Sequence, residues 1–133
     1  MNKPNLTLEA FRRLDFDPES FGHREHVYAA WLAITRLGDR AGSDCYVSTL
    51  KALTEKLGVP EKYHETITRF YLTLIAERIR RHADPEWAVF EAANADLFER
   101  ALLDRYYSTE RLWSEEAHRH FLLPDRPAVR KAA

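Results

Sequence analysis

Apolar residues recur every three or four positions along most of the chain, the spacing that collects them on one face of an α-helix. Leu6, Ala10, Phe11 and Leu14 predict a short first helix, interrupted at Asp15-Phe16-Asp17-Pro18. From Gly22 to Leu37 the inward positions read His23, His26, Val27, Ala30, Trp31, Ile34 and Leu37, with Gly38 as the stop. Ser43 or Asp44 caps a third helix through Val47, Leu50, Leu53 and Leu57, which ends at Gly58 before Pro60. A fourth helix, the longest and clearest, runs from Glu61 to His82 with His64, Ile67, Tyr71, Leu74, Ile75 and Ile79 on one face.

Asp84-Pro85 reads as a cap and first-turn proline opening a fifth helix with Trp87, Phe90 and Glu91, broken at Asn94 or Asp96. Ser108 and Ser114 cap two short final helices, one carrying Leu112 and the other Ala117 and Phe121, before Pro124. No strand pattern or internal repeat interrupts this series. The fold class is therefore all-α: a single-domain helical bundle of about five to seven helices over residues 1–125, with a mobile basic tail over 126–133. Short linkers make neighbouring helices antiparallel.

Composition agrees with this. The 133 residues are 45% hydrophobic and 31% charged with only four glycines, too few for many tight strand turns, and a domain of this size buries roughly two-thirds of its unfolded surface. Twenty basic residues against 21 acidic ones give a net charge of -1, which argues against nucleic acid as a partner. No apolar run approaches the ~20 residues that span a bilayer, so no membrane segment is expected. Cys45 is the single cysteine, excluding an intramolecular disulfide, and Met1-Asn2-Lys3-Pro4 leads into no apolar signal core. A reducing cytoplasm fits.

The candidate chemistry lies in three histidines. In an up-down-up arrangement, the starts of the second and fourth helices share one end of the bundle, bringing His23, His26 and His64 into one neighbourhood. His23 and His26 are three apart and so share a helical face. With His64 from a facing helix they could supply three ligands to zinc, iron, manganese or copper, leaving positions open for water or substrate. Glu65 and Glu25 adjoin them as candidates for acid/base or tautomer-fixing roles. Two helix amino ends also present positive potential, which with Arg24, Lys62 and Arg69 favours an anionic ligand, Arg69 being the candidate holder of its charge. Tyr63, Tyr71 and Trp31 could wall a mainly apolar pocket.

Other features have simpler readings. The basic run Arg78, Arg80, Arg81 and His82 complements the end of a helix dipole, and His118 and His120 point to opposite sides of their helix. Cys45 falls at the opposite end from the histidines and reads as structural. The chain contains no phosphate-binding loop, dinucleotide fingerprint or nucleophile-elbow motif.

The strings Phe21-Gly22-His23-Arg24-Glu25-His26-Val27, Ala30-Trp31, Tyr63-His64-Glu65-Thr66-Ile67-Thr68-Arg69-Phe70-Tyr71, Tyr107-Ser108 and Pro124-Asp125 resemble a family of small bacterial all-helical proteins. That resemblance covers the chain from about Phe21 to Asp125 and implies a bacterial protein. No activity, substrate or cofactor is associated with the family, so none is carried over.

Two functional readings follow, from different classes. One is a metal-dependent protein, hydrolytic or oxidative, acting on a small and possibly anionic molecule through a three-histidine site. The other is a non-catalytic ligand-binding or homodimerisation module whose histidines are hydrogen-bonded in the core. A helix-turn-helix regulator is disfavoured because no helix carries a compact basic face.

Overall fold

A single residue, Gly38, separates the two helices on which the fold is built. In the computed structural model, which describes residues 3–82 and 85–126, α1 is Leu8–Arg12, α2 His23–Leu37, α3 Asp39–Lys56, α4 Glu65–Arg81, α5 Trp87–Ala93, α6 Thr109–Leu112 and α7 Glu115–Arg119. The described residues contain no strand, so the architecture is all-α. Gly38 has φ of 90°, a left-handed conformation that costs glycine little, and there the chain reverses between α2 and α3 without further loop residues.

Every residue of α2 from Val27 to Ile34 is buried. A helix apolar on all sides belongs in the centre of a bundle, and α3 and α4 indeed pack along α2. Small residues permit the closest approach. A Cβ at Gly42 of α3 would stand 2.5 Å from the carbonyl oxygen of Ala33 in α2. On one side of α2, Phe11, Phe16, Phe21 and Tyr46 form a chain of ring contacts that seats α1. On another, Trp31 meets Trp87 and Phe90 of α5.

Several sequence-based boundaries shift. The third helix begins at Asp39 rather than at Ser43 or Asp44, because Asp39, Arg40 and Ala41 extend it through an exposed first turn that carries no apolar signal. The fourth begins at Glu65 rather than Glu61: Pro60–Lys62 is a 3-10 turn, Tyr63 and His64 are extended, and His64 is the cap. The first helix ends at Arg12, and Leu14 has φ of 59°. Leu37 and Phe121, expected inward, are exposed. Asn94 ends α5, and the Ser108 and Ser114 hydroxyls cap α6 and α7 as expected.

The antiparallel order holds. Arg80 near the end of α4 pairs with Asp39 at the start of α3, and at the other end the starts of α2 and α4 converge on the end of α3 around one cavity. The segment after α5 returns as a strap over the start of α4. There Arg126, placed by sequence in the tail, donates through its backbone to Tyr106 O at 2.9 Å. The fifth helix begins at Trp87 with Glu86 in the cap position, so Pro85 precedes the helix rather than forming its first turn; Asp84 and the remaining tail, 127–133, lie outside the described residues.

Candidate functional site: a histidine-lined cavity

The three helices line a half-open cavity of about 790 Å³, within the range of small-molecule sites. Its walls are mainly aliphatic, from Val27 of α2, Leu50 and Leu53 of α3, and Ile67, Leu72 and Ile75 of α4. All three predicted histidines line it, together with Tyr63 and Tyr71. The three imidazoles thus border one large cavity, but each is engaged differently.

His26 is half-buried between an aromatic ring and a phenol. Its ring lies 4.4 Å from that of Phe21, centroid to centroid, and its Nδ1 is 3.1 Å from the Tyr46 hydroxyl. Removal from water, helped by neighbouring His23, pulls its pKa down to about 4. Burial pushes the Tyr46 phenol in the opposite direction, well above its ordinary value. Both groups are consequently neutral near pH 7.

His23 sits at the exposed edge of the cavity. Its Nε2 is 2.8 Å from the carbonyl oxygen of Leu97, so this nitrogen carries the proton and donates. Its ring also stands edge-on to Tyr71 at 5.2 Å. These contacts tie the first turn of α2 to the 3-10 turn Ala95–Phe98.

His64 has neither ring nitrogen to spare. Nδ1 accepts from the backbone of Ile67 at 3.1 Å, capping α4, while Nε2 donates to Leu112 O at 2.8 Å. A metal would have to displace one of these bonds. Among the described residues, no group of three or more His, Cys, Asp or Glu side chains is placed to hold a metal ion. The three imidazoles line one space without converging on one point.

The two candidate acid/base residues have structural occupations. Glu25 accepts from the backbone of Gly22 at 2.9 Å, restraining the start of α2. Glu65 accepts from Tyr63 Oη at 2.6 Å and from Arg69 Nε at 3.4 Å. Neither carboxylate lines the cavity. Arg69 lies instead beside a polar surface cleft with Asp39, Asp44 and Arg80, and Trp31 is packed among Tyr28, Trp87 and Phe90. Glu25, Glu65, Arg69 and Trp31 are thus absent from the cavity lining among the described residues.

Other residues gain importance. Tyr46, the partner of His26, received no role from sequence spacing. An antiparallel turn at Gly38 supplies the missing signal: it sets Gly42 against Ala33, and one turn further brings Tyr46 beside the start of α2. Trp113 and His118, from the strap, also line the cavity and flank His64 at 5.5 and 5.1 Å between ring centroids. Fully buried Thr66 fastens this strap, with Oγ1 2.7 Å from the carbonyl oxygens of Ala117 and His120 while accepting from Leu122 N at 3.1 Å. Tyr107 adds a bond from its hydroxyl to Leu122 O at 2.7 Å.

No helix among the described residues is long and apolar enough to cross a membrane. Compared with protein-family models, curated proteins and solved structures, the chain matches none.

Proposed function

We propose that the protein binds a small, predominantly apolar molecule in the cavity between α2, α3 and α4. The observation that carries this reading is the cavity itself: about 790 Å³ walled largely by aliphatic and aromatic side chains, with imidazole, phenol, hydroxyl and indole groups and Lys62 as the polar members among the described residues. Apolar surroundings supply affinity by releasing water from ligand and wall, while sparse polar groups orient the ligand.

The arrangement favours binding over metal-dependent catalysis. His64 spends both ring nitrogens on the backbone, and the nearby carboxylates face the helix frame. The histidines then act as hydrogen-bonded polar elements of a ligand site, the second of the two readings the sequence allowed.

The test uses N-phenyl-1-naphthylamine, an apolar dye whose emission rises on leaving water. Binding at one site per chain is expected, and Leu53→Trp or Ala30→Leu, each of which narrows the cavity, should weaken it while circular dichroism still shows the helical fold. Dye binding untouched by both folded variants, or no binding to the native chain, would overturn the reading.

A further inference from the structure

His26 and Tyr46 make the cavity selective for one kind of polar head. Their contact, Nδ1 to Oη at 3.1 Å, can be formed in two ways. If the phenol donates to Nδ1, the proton of the imidazole resides on Nε2, leaving an N–H donor and phenolic lone pairs as acceptors. If Nδ1–H donates to the phenol oxygen, Nε2 becomes an acceptor and the phenol keeps its own O–H to donate. Either way the pair retains one donor and one acceptor. No second hydrogen bond to either side chain is formed among the described residues.

The charge surroundings narrow the choice. Burial holds His26 and Tyr46 neutral. Arg24, the nearest cation in sequence, is paired with Glu91; among the described residues Lys62 lines the cavity but is exposed on the turn Pro60–Lys62, and Lys51 stands over the Tyr63 ring, 5.2 Å from its centroid. No lysine or arginine among the described residues is hydrogen-bonded to the His26–Tyr46 pair, so a carboxylate there would leave water without a directly paired opposite charge, which is unfavourable. A hydroxyl donates and accepts at once and needs no counter-charge.

We infer that the ligand is a neutral hydroxyl-bearing apolar molecule, an alcohol rather than a carboxylic acid, whose hydroxyl is recognised by the His26–Tyr46 pair. Tyr46 and His26 are then specificity-determining residues of the cavity. This rests on the cavity-binding reading and adds the class of ligand to it.

The experiment is displacement of bound N-phenyl-1-naphthylamine by octan-1-ol and by octanoate at pH 7.5, molecules of equal chain length that differ in the head. Octanol should displace the dye at a concentration at least about tenfold below that of octanoate, the factor expected from one satisfied hydrogen bond set against an uncompensated charge. Tyr46→Phe removes only the hydroxyl, and His26→Leu removes the ring; each should erase most of the octanol preference, read as the ratio of octanol to octanoate displacement after correction for that variant's own dye affinity. Equal displacement by the two heads, octanoate binding that Lys62→Met abolishes, or a preference that survives in both variants would overturn the inference while leaving the cavity reading intact. Failure of the dye itself to bind would overturn that underlying reading, and this one with it.

Discussion

His64 donates through Nε2 to the carbonyl of Leu112, 48 positions later and 2.8 Å away. Its Nδ1 simultaneously accepts from Ile67 N, so one imidazole both starts α4 and fastens the strap that supplies Trp113 and His118 to the cavity. Only the neutral ring protonated at Nε2 can make both bonds. Replacing His64 by alanine removes the cap and leaves a carbonyl without its donor. The expected loss is about 2 to 3 kcal/mol in urea denaturation, with faster amide exchange over 112–122. His64→Asn keeps a capping oxygen but cannot span to Leu112, so it should recover about 1 kcal/mol of the loss.

Acid should destabilise the fold before the carboxylates titrate. The folded state lowers the pKa values of His26 and His64 below the usual 6.5, His26 to about 4, with burial the first cause for both. A histidine lowered in this way stabilises the protein fully above its unfolded pKa, and that contribution disappears as pH falls from 6.5 toward the folded value. His23 beside His26 and His118 beside His64 act in the same direction. For His26 the full effect is on the order of 3 kcal/mol. Stability measured at pH 7.5 and pH 5 should therefore differ by a few kcal/mol, and His26→Phe should flatten that difference. A flat profile in the native protein would contradict the neutral, buried assignment.

Close packing of α2 on α3 depends on two glycines for different reasons. At Gly42 an added methyl would meet the Ala33 backbone at 2.5 Å, and a rigid helix backbone cannot yield as a flexible side chain would. Gly42→Ala should cost about 3 kcal/mol or more by forcing the helices apart. Gly38 has open space around its Cβ position but φ of 90°, so Gly38→Ala should cost about 1 to 2 kcal/mol through backbone strain alone. Thermal melts that rank Gly38→Ala as the more damaging change would contradict this division.

Arg78 joins α4 to the turn that follows α5. Its guanidinium makes a two-pronged contact with Asp96, 2.9 and 2.8 Å, and reaches Asn94 Oδ1 at 3.0 Å. That pairing holds the Asp96 carboxyl below its usual range. Since the arginine side chain is only 15% exposed, Arg78→Met should cost about 2 kcal/mol, less than breaking a fully buried pair. Arg78→Lys should restore little, because an ammonium cannot reproduce the planar fork. Full rescue by lysine in denaturation experiments would show that charge alone suffices.

Chelation should leave the melting temperature unchanged, since the imidazole hydrogen bonds that hold the frame involve backbone and phenol groups. A fall of several degrees on treatment with EDTA, reversed by one metal and absent in His64→Ala, would restore the three-ligand arrangement.

Much of the fold is legible in the chain because helical spacing is a local signal that burial then enforces. Val27 to Ile34, too apolar for a surface helix, and the serines that cap α6 and α7 are examples. The early start of α3 is not legible in that way: an exposed first turn has no apolar face to announce it. That His23, His26 and His64 border one end of the bundle was legible from helix order. Their chemistry was not, because the partners are distant in sequence and include backbone carbonyls. Leu97 O and Leu112 O leave no trace in residue identity, and a carbonyl that occupies a ring nitrogen decides whether a histidine ligates or latches.

The most direct test of the central claim is methyl NMR of the native chain titrated with octan-1-ol. The account expects saturable shifts concentrated on Val27, Leu50, Leu53, Ile67, Leu72 and Ile75, the methyl-bearing walls of the cavity, with much smaller changes at exposed Val89 and Leu123. Shifts confined to those exposed residues, or none that saturate, would contradict it.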